Sequence, residues 1–323
     1  MSLPTLLNQL HCGHAAKIMN ALPEGAVDLI ITSPPYWSAV VYKDQDSPWP
    51  SYEAYLSDMM SVWRACARVL RPNGKLCINA PIMPIPKKMI AQHTRHLKNI
   101  AFDTEQRILA DTDLLRYSFF IWQKQTSKMM FGSYPYPGNI LENNTTEFIN
   151  VYVKPGKPPK FDAEVKAANK MSRAEWLDLT QQVWFMYPED VKRGGDHPAP
   201  FPEKLPARLM RLYTYGAFGD FAGEIVLDPF VGTGTTCAVA KSMGRQFIGI
   251  DINEAYLKLA NGRVHKAPRH KPLLLVGRPK FQSREELALI VTKEAGTQGR
   301  KAESKHKRKT YGRRAKTDQM MLV

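Results

Sequence analysis

Two short segments of the 323-residue chain carry residue types arranged for chemistry. The first is Thr32-Ser33-Pro34-Pro35-Tyr36-Trp37. Successive prolines cannot continue a central strand, and they leave carbonyl groups without a local donor. The Ser33 hydroxyl and the Pro34 carbonyl can therefore both accept from an amino group lying in the plane of a heterocyclic base. Tyr36, immediately after, can stack on that base. A rigid loop after a strand explains a Pro-Pro pair equally well, so this motif alone leaves two readings open.

The second segment is Asp228-Pro229-Phe230-Val231-Gly232-Thr233-Gly234-Thr235-Thr236. It reads as a strand ending in an acid, a turn through two glycines, and a helix opening at Thr235. Gly232 and Gly234 let the backbone turn tightly and approach a ligand with no Cβ in the way. The new helix offers unpaired N–H groups to a carboxylate or phosphate. Asp251 lies 19 residues beyond Gly232, where an acid is placed to accept from ribose hydroxyls. No Lys follows the glycines, which excludes a phosphate loop of the GxxxxGK[ST] kind. A plain strand-to-helix turn and a nicotinamide site stay open on this motif alone.

Both segments need a scaffold. Val27–Thr32 is a short apolar run halted by Ser-Pro-Pro and reads as a buried strand. Further strands are expected at Lys75–Asn79, Ser118–Gln123, Glu147–Val153, Glu224–Asp228 and Phe247–Asp251. Helical patterns lie at Tyr52–Leu70, Leu205–Tyr213, Thr235–Met243 and Glu254–Arg263, the first with an apolar stripe (Tyr55, Met59, Val62, Trp63, Ala67, Leu70) that reads as core. The alternation predicts an α/β fold, a doubly wound, mostly parallel sheet with helices on both faces. In such sheets ligands bind beyond the carboxyl ends of the strands, where both motifs fall.

Residues 155–203 break the pattern with seven prolines and one short helix, Arg173–Gln182, and read as an insertion outside the sheet. Lys154, Lys157, Lys160, Lys166, Lys170 and Arg173 could meet phosphates there, whereas Trp176 and Trp184 read as core. A solvated loop is the alternative. From about Lys266 the chain turns Pro-, Lys- and Arg-rich, with one helical pattern near Arg284–Glu294 and an end expected to be disordered.

Taken together the two motifs closely resemble those of the amino-methylating DNA methyltransferases. The [DNS]PP[YFW] tetrapeptide of that family is present as Ser33–Tyr36, and its DPFxGxGTT motif as Asp228–Thr236. The resemblance extends to VDLIITSPPYW, to RVLRPNGKL (Arg68–Leu76), to HPAPFPEKLPARL (His197–Leu209) and to IGIDINEAYLKLANGR (Ile248–Arg263), most of residues 10–265. The catalytic motif precedes the cofactor motif, the permuted order of the family's β class, which favours DNA over protein or RNA as substrate.

That resemblance implies S-adenosyl-L-methionine as cofactor and a Rossmann-like catalytic domain over residues 1–265, with a target-recognition insertion at about 155–196 and a basic extension over 266–323. It implies a catalytic set of Ser33, Pro34, Pro35 and Tyr36. The cofactor set is Asp228, Pro229, Phe230, Gly232, Gly234, Thr235 and Thr236 along the methionine and adenosine, with Asp251 on the ribose. The HPAPFPEKLP segment belongs beside the methionine end. Relatives often read Gly-Asp where this chain has Gly13-His14, so His14 would replace an acid that approaches the adenine amino group. In the family SPPY goes mostly with cytosine N4 and DPPY mostly with adenine N6. The expected reaction is a direct in-line methyl transfer to N4 of a flipped-out cytosine in double-stranded DNA. Adenine N6 is the alternative, and a non-catalytic DNA-binding relative is a more distant one.

Composition fits this frame. The net charge of +15 favours a polyanionic partner. Residues 300–316 concentrate nine basic residues against the single acid Glu303, a net +8, over half the total. The four cysteines, Cys12, Cys66, Cys77 and Cys237, form no CxxC pair or zinc spacing and read as reduced thiols, with no metal expected. No segment approaches ~18 uninterrupted apolar residues, and no signal peptide opens the chain, so a cytoplasmic protein without a membrane partner is expected. A restriction endonuclease sharing the recognition site is a conceivable partner, and the chain is expected to act as a monomer or homodimer.

Overall fold

The computed structural model describes residues 3–37, 49–85, 96–124, 133, 135–138, 140, 142, 144–186 and 201–268. Helix patterns and basic residues expected beyond 268, and His197–Pro200 of the HPAPFPEKL segment, lie outside them.

The strands are β1 (Gln9–Cys12), β2 (Val27–Thr32), β3 (Leu70–Ala80), β4 (Ile82–Pro84), β5 (Leu97–Asn99), β6 (Leu115–Gln123), β7 (Thr146–Val153), β8 (Val183–Phe185), β9 (Ile225–Asp228) and β10 (Gln246–Asp251), and the helices numbered with those named below include the short α1 (Leu3–Leu6), α2 (Ala15–Met19) and α5 (Ala163–Ala168). Eight of them form one sheet in the order β1-β10-β9-β2-β3-β7-β6-β8, and β4 pairs with β5 in a separate ribbon. Among the described strands of the large sheet, only β7 runs against its neighbours. The expected doubly wound, mostly parallel α/β sheet is what the chain forms.

The burial of β2 explains its sequence. Leu29, Ile30 and Ile31 are all buried, as a central parallel strand covered on both faces requires. Successive side chains point to opposite faces. Ile30 joins Leu76, Ile78, Leu227 and Ile248 against α3 (Tyr52–Val69) and α4 (Ile100–Asp111). Leu29 and Ile31 join Cys77, Ile149, Val151 and Val226 against α7 (Lys204–Tyr213), α8 (Thr235–Ser242) and α9 (Glu254–Lys266). The stripe expected on the first long helix faces the core, with Tyr55, Met59, Val62, Trp63 and Ala67 buried. Its start is fixed by Ser51, whose hydroxyl accepts from Ala54 N–H at 3.1 Å.

β2 and β9 are neighbours, pairing Leu29 with Val226 and Ile30 with Leu227. From β2 the chain proceeds to β3 on one side; from β9 it proceeds to β10 on the other. The strand order thus reverses between these two, which makes the gap beyond their carboxyl ends the crevice of the sheet. Their opposite ends are clamped by charge. Arg71 pairs with Asp28 and, at 2.5 Å, with Glu224, while Asp28 accepts from Ile225 N–H at 2.7 Å. Burial, with the nearby charge of Asp28, raises the Glu224 pKa to about 7.

Three expectations about the insertion are corrected. Val183–Phe185 is not outside the sheet: it pairs with Ile121–Gln123 of β6 in parallel and forms the edge strand β8. Trp184 is buried as expected, but Trp176 is 56% exposed, because α6 (Arg173–Leu179) has only Leu179 buried and docks through ion pairs of Glu175 with Arg211 and Asp178 with Arg208. Lys154 also turns inward, donating to Ala67 O at 2.8 Å, whereas Lys157, Lys160, Lys166, Lys170 and Arg173 are exposed. The chain leaves β7 at the amino-terminal edge of the parallel strands, where Asn73 N–H donates to Lys154 O at 2.9 Å. Asn169 stays at that edge, donating to Gly216 O at 3.1 Å. The described basic residues near 157–170 therefore lie at the edge opposite the two motifs.

Candidate active site

The glycine loop is built by Asp228, the last residue of β9. Its Oδ2 accepts from Thr236 Oγ1 at 2.6 Å, and its Oδ1 accepts from Phe230 N–H at 3.1 Å and from Thr32 Oγ1 at 2.7 Å. The carboxyl is 1% exposed. Burial pushes its pKa up to about 6, against the opposing pull of these three donors. Its hydrogen bonds wind the segment from Asp228 to Thr236 around one buried group, so Asp228 shapes the loop rather than lying open along it. Gly232 and Gly234 have φ of 50° and 84°, the left-handed region that favours glycine. A Cβ on Gly234 would stand 2.9 Å from Ala260 Cα, so the turn also needs glycine for α9 to approach.

Asp251 ends β10. Its Oδ2 accepts from Gly232 N–H at 2.9 Å and its Oδ1 from Asn253 N–H at 2.8 Å. His14 follows β1, whose Cys12 pairs with Asp251 and whose next residue, Gly13, donates to Asp251 O at 2.9 Å. The structure therefore brings His14, Asp251 and the glycine loop to neighbouring strand ends. His14 Nδ1 is buried there with no hydrogen-bond partner, an orphan that a ligand donor or acceptor would satisfy.

Arg263 of α9 donates to Thr235 Oγ1 at 2.7 Å and to Glu203 at 3.1 Å. Glu203 belongs to the described half of the HPAPFPEKL segment, so α7 begins beside the glycine loop. Pro229 is buried and Phe230 half-buried, its ring edge-on to Trp63 at 6.0 Å. These features fit S-adenosylmethionine: a glycine cradle, the carboxylate of Asp251 at the neighbouring strand end, and the buried, unpartnered Nδ1 of His14 beyond it.

The second strand end lies alongside. Ser33 Oγ is 2.5 Å from Tyr36 Oη and donates to Asn79 O at 3.1 Å. Pro34 is buried and Pro35 half-buried. Tyr36 is 7% exposed, so little of its face is open and its hydroxyl is turned onto Ser33. That hydroxyl also reaches Glu147 Oε2 at 3.3 Å, where Asn79 Nδ2 donates at 2.6 Å. Lys124 donates to Glu147 Oε1 at 3.0 Å. The sequence reading assigned no role to Asn79, Lys124, Glu147, Thr32 or Arg263. Glu147 showed only as a polar residue opening an apolar run. Arg263 closed a quoted motif without a role.

Comparison with known proteins agrees with this geometry. Residues 27–262 match the N6/N4 methyltransferase family model, described as DNA methylase. The chain is 27% identical over 281 residues to the type II methyltransferase M.MthZI of Methanothermobacter thermautotrophicus, covering 77% of this chain and 74% of that protein. It is 26% identical over 315 residues to the type II methyltransferase M.BglI of Bacillus subtilis, covering 80% and 85%. Among solved structures, a candidate DNA modification methylase of Thermus thermophilus complexed with S-adenosyl-L-methionine superposes with a TM-score of 0.65 at 27% identity, over 81% of this chain and 97% of that one. The cytosine-N4-specific PvuII DNA methyltransferase shares the fold, with a TM-score of 0.56 at 17% identity over 79% and 85%. With most of its length matched by the family model, the chain belongs to the N6/N4 DNA methylase family.

Proposed function

We propose that the chain transfers a methyl group from S-adenosyl-L-methionine to the exocyclic N4 of a flipped-out cytosine in double-stranded DNA, as a β-class enzyme of the restriction-modification type. The observation that carries this reading is the bond from Thr32 to Asp228. It holds the Ser33 loop and the glycine loop side by side at the crevice of the sheet in a chain of the DNA methylase family.

When bound, S-adenosylmethionine supplies an electrophilic methyl group. Gly232 and Gly234 would admit it closely, Asp251 would accept from its ribose hydroxyls, and His14 Nδ1 would meet its adenine edge. The target amine is a poor nucleophile because its lone pair is delocalised into the ring. Ser33 Oγ and the Pro34 carbonyl accept its two N–H bonds and favour a pyramidal nitrogen with its lone pair aimed at the methyl. Much of the acceleration then comes from orientation, with electrostatic help from these fixed acceptors. Ser rather than Asp at position 33 is what favours cytosine in the family.

The test is mass spectrometry of nucleosides from DNA incubated with protein and cofactor. N4-methylcytosine is expected. N6-methyladenine alone would retain the methyltransferase and correct the base, and no methylated base on any DNA would refute the reading.

A further inference from the structure

Methylation of an amine releases a proton, and the described part of the Ser33 loop, Ser33–Trp37, carries no carboxylate to receive it. A serine hydroxyl cannot keep a second proton near neutral pH, so it must pass its own onward as the new one arrives. The structure supplies the onward path. Ser33 Oγ lies 2.5 Å from Tyr36 Oη, and Tyr36 Oη lies 3.3 Å from Glu147 Oε2. Glu147 comes from a distant part of the chain. It sits at the start of β7, and because β7 alone runs antiparallel in the large sheet, its start lies at the carboxyl edge of the others. The strand reversal thus places an acid 111 residues from Tyr36 against the same loop.

We infer that Glu147 is the terminal proton acceptor of the methyl-transfer site, reached from the target amine through the hydroxyls of Ser33 and Tyr36. This rests on the methyltransferase reading above. The amine lone pair forms the N–C bond while the S–C bond breaks and its electron pair stays on sulfur, discharging the sulfonium. The amine proton passes to Ser33 Oγ, the Ser33 proton to Tyr36 Oη, and the Tyr36 proton to Glu147 Oε2, which ends as a neutral acid. Before the step Ser33 must swing its hydrogen from Asn79 O to Tyr36 Oη, and the 2.5 Å contact allows either atom to donate.

The surroundings of Glu147 suit this task. Its side chain is 12% exposed, so solvent does not compete freely for it. Among the described residues it is faced by the ammonium of Lys124 from the end of β6, by the phenol of Tyr36 and by the amide of Asn79 on β3. Lys124 places a positive charge beside the carboxylate that must accept. Asn79 Nδ2 fixes Oε2 from one side, leaving Tyr36 the other. Glu147 touches no substrate atom and acts through Tyr36.

Full-length wild type, Glu147→Gln, Tyr36→Phe and the double variant are compared in single-turnover methylation from pH 5 to 9 with saturating cofactor. Each single variant should lose about 100-fold at pH 7, the scale of a missing general base. The rates of both single variants should depend more steeply on pH than the wild-type rate, because hydroxide must then take the proton that Glu147 otherwise accepts. The double variant should be no slower than either single one, because both interrupt one path. In cofactor-free protein, carbon NMR of labelled tyrosine should show the Tyr36 phenol titrating at lower pH in Glu147→Gln, since its carboxylate acceptor is gone. Should that variant fold poorly, Tyr36→Phe, which removes one oxygen, decides alone. Wild type that methylates while both single variants match its rate and pH profile overturns the relay and leaves the methyltransferase reading standing. Wild type that yields no methylated nucleoside overturns both.

Discussion

Thr32 Oγ1 donates to Asp228 Oδ1 at 2.7 Å across the two strands on either side of the reversal in strand order. The two residues are 196 positions apart in sequence, and each is adjacent to, or part of, one of the two chemical motifs. Thr32→Val keeps the shape and removes the donor, leaving a buried carboxylate short of one partner. It should destabilise the protein by about 1.5–3 kcal/mol. Urea unfolding measures this, and a loss under about 0.5 kcal/mol would mean that the bond does not hold the site together.

Asp228 also predicts a pH dependence. Burial raises its pKa from the ordinary 3.8 to about 6. The native state therefore holds this proton where the unfolded chain has released it. Its contribution is full below about pH 4, falls as pH rises to about 6, and is constant beyond. Asp228→Asn does not titrate. The stability of wild type relative to this variant should thus fall by roughly 2–3 kcal/mol between pH 4 and 6.5. A pH-independent difference would contradict the assigned environment.

Gly234→Ala tests the cradle. It combines a φ of 84° with a Cβ placed 2.9 Å from Ala260 Cα, so backbone strain of about 1–3 kcal/mol adds to displacement of α9. A lowered melting temperature and weaker S-adenosylmethionine binding by calorimetry are expected. Unchanged values for both would show that the loop tolerates a side chain.

The basic residues 300–316 lie outside the described residues, and their role is argued from charge. Deleting the chain after Gln298 should weaken DNA binding across all sequences and flatten its salt dependence, by about 0.9 in the log–log slope for each phosphate no longer neutralised. Equal slopes for both proteins would remove the tail from DNA binding.

Much of the fold was legible because its central strands are apolar on both faces. Val27–Thr32 was bounded in advance, residue for residue, by the Ser-Pro-Pro stop. β1 was missed: Gln-Leu-His-Cys is short, polar and half-exposed at the sheet edge, and presents no apolar run. β8 hid in a proline-rich stretch because pairing with β6, not local pattern, makes it a strand. Trp176 misled because aromatic character was read as burial on a helix that docks by charge. At the site, glycines and prolines announce unusual backbone locally, so both loops stood out. The contacts of Glu147 and Arg263 exist only after strands and helices distant in sequence come together.

The most direct test of the account is methyl transfer from labelled S-adenosyl-L-methionine to duplex DNA in one turnover, beside calorimetry of cofactor binding, for wild type and Ser33→Ala. Wild type should label cytosine N4. Ser33→Ala should bind the cofactor within about twofold of wild type, since Ser33 lies on a different strand end from the glycine loop, yet transfer at least about 100-fold more slowly. A Ser33→Ala protein that transfers at the wild-type rate, or a wild type that binds the cofactor and labels no DNA, would contradict the account.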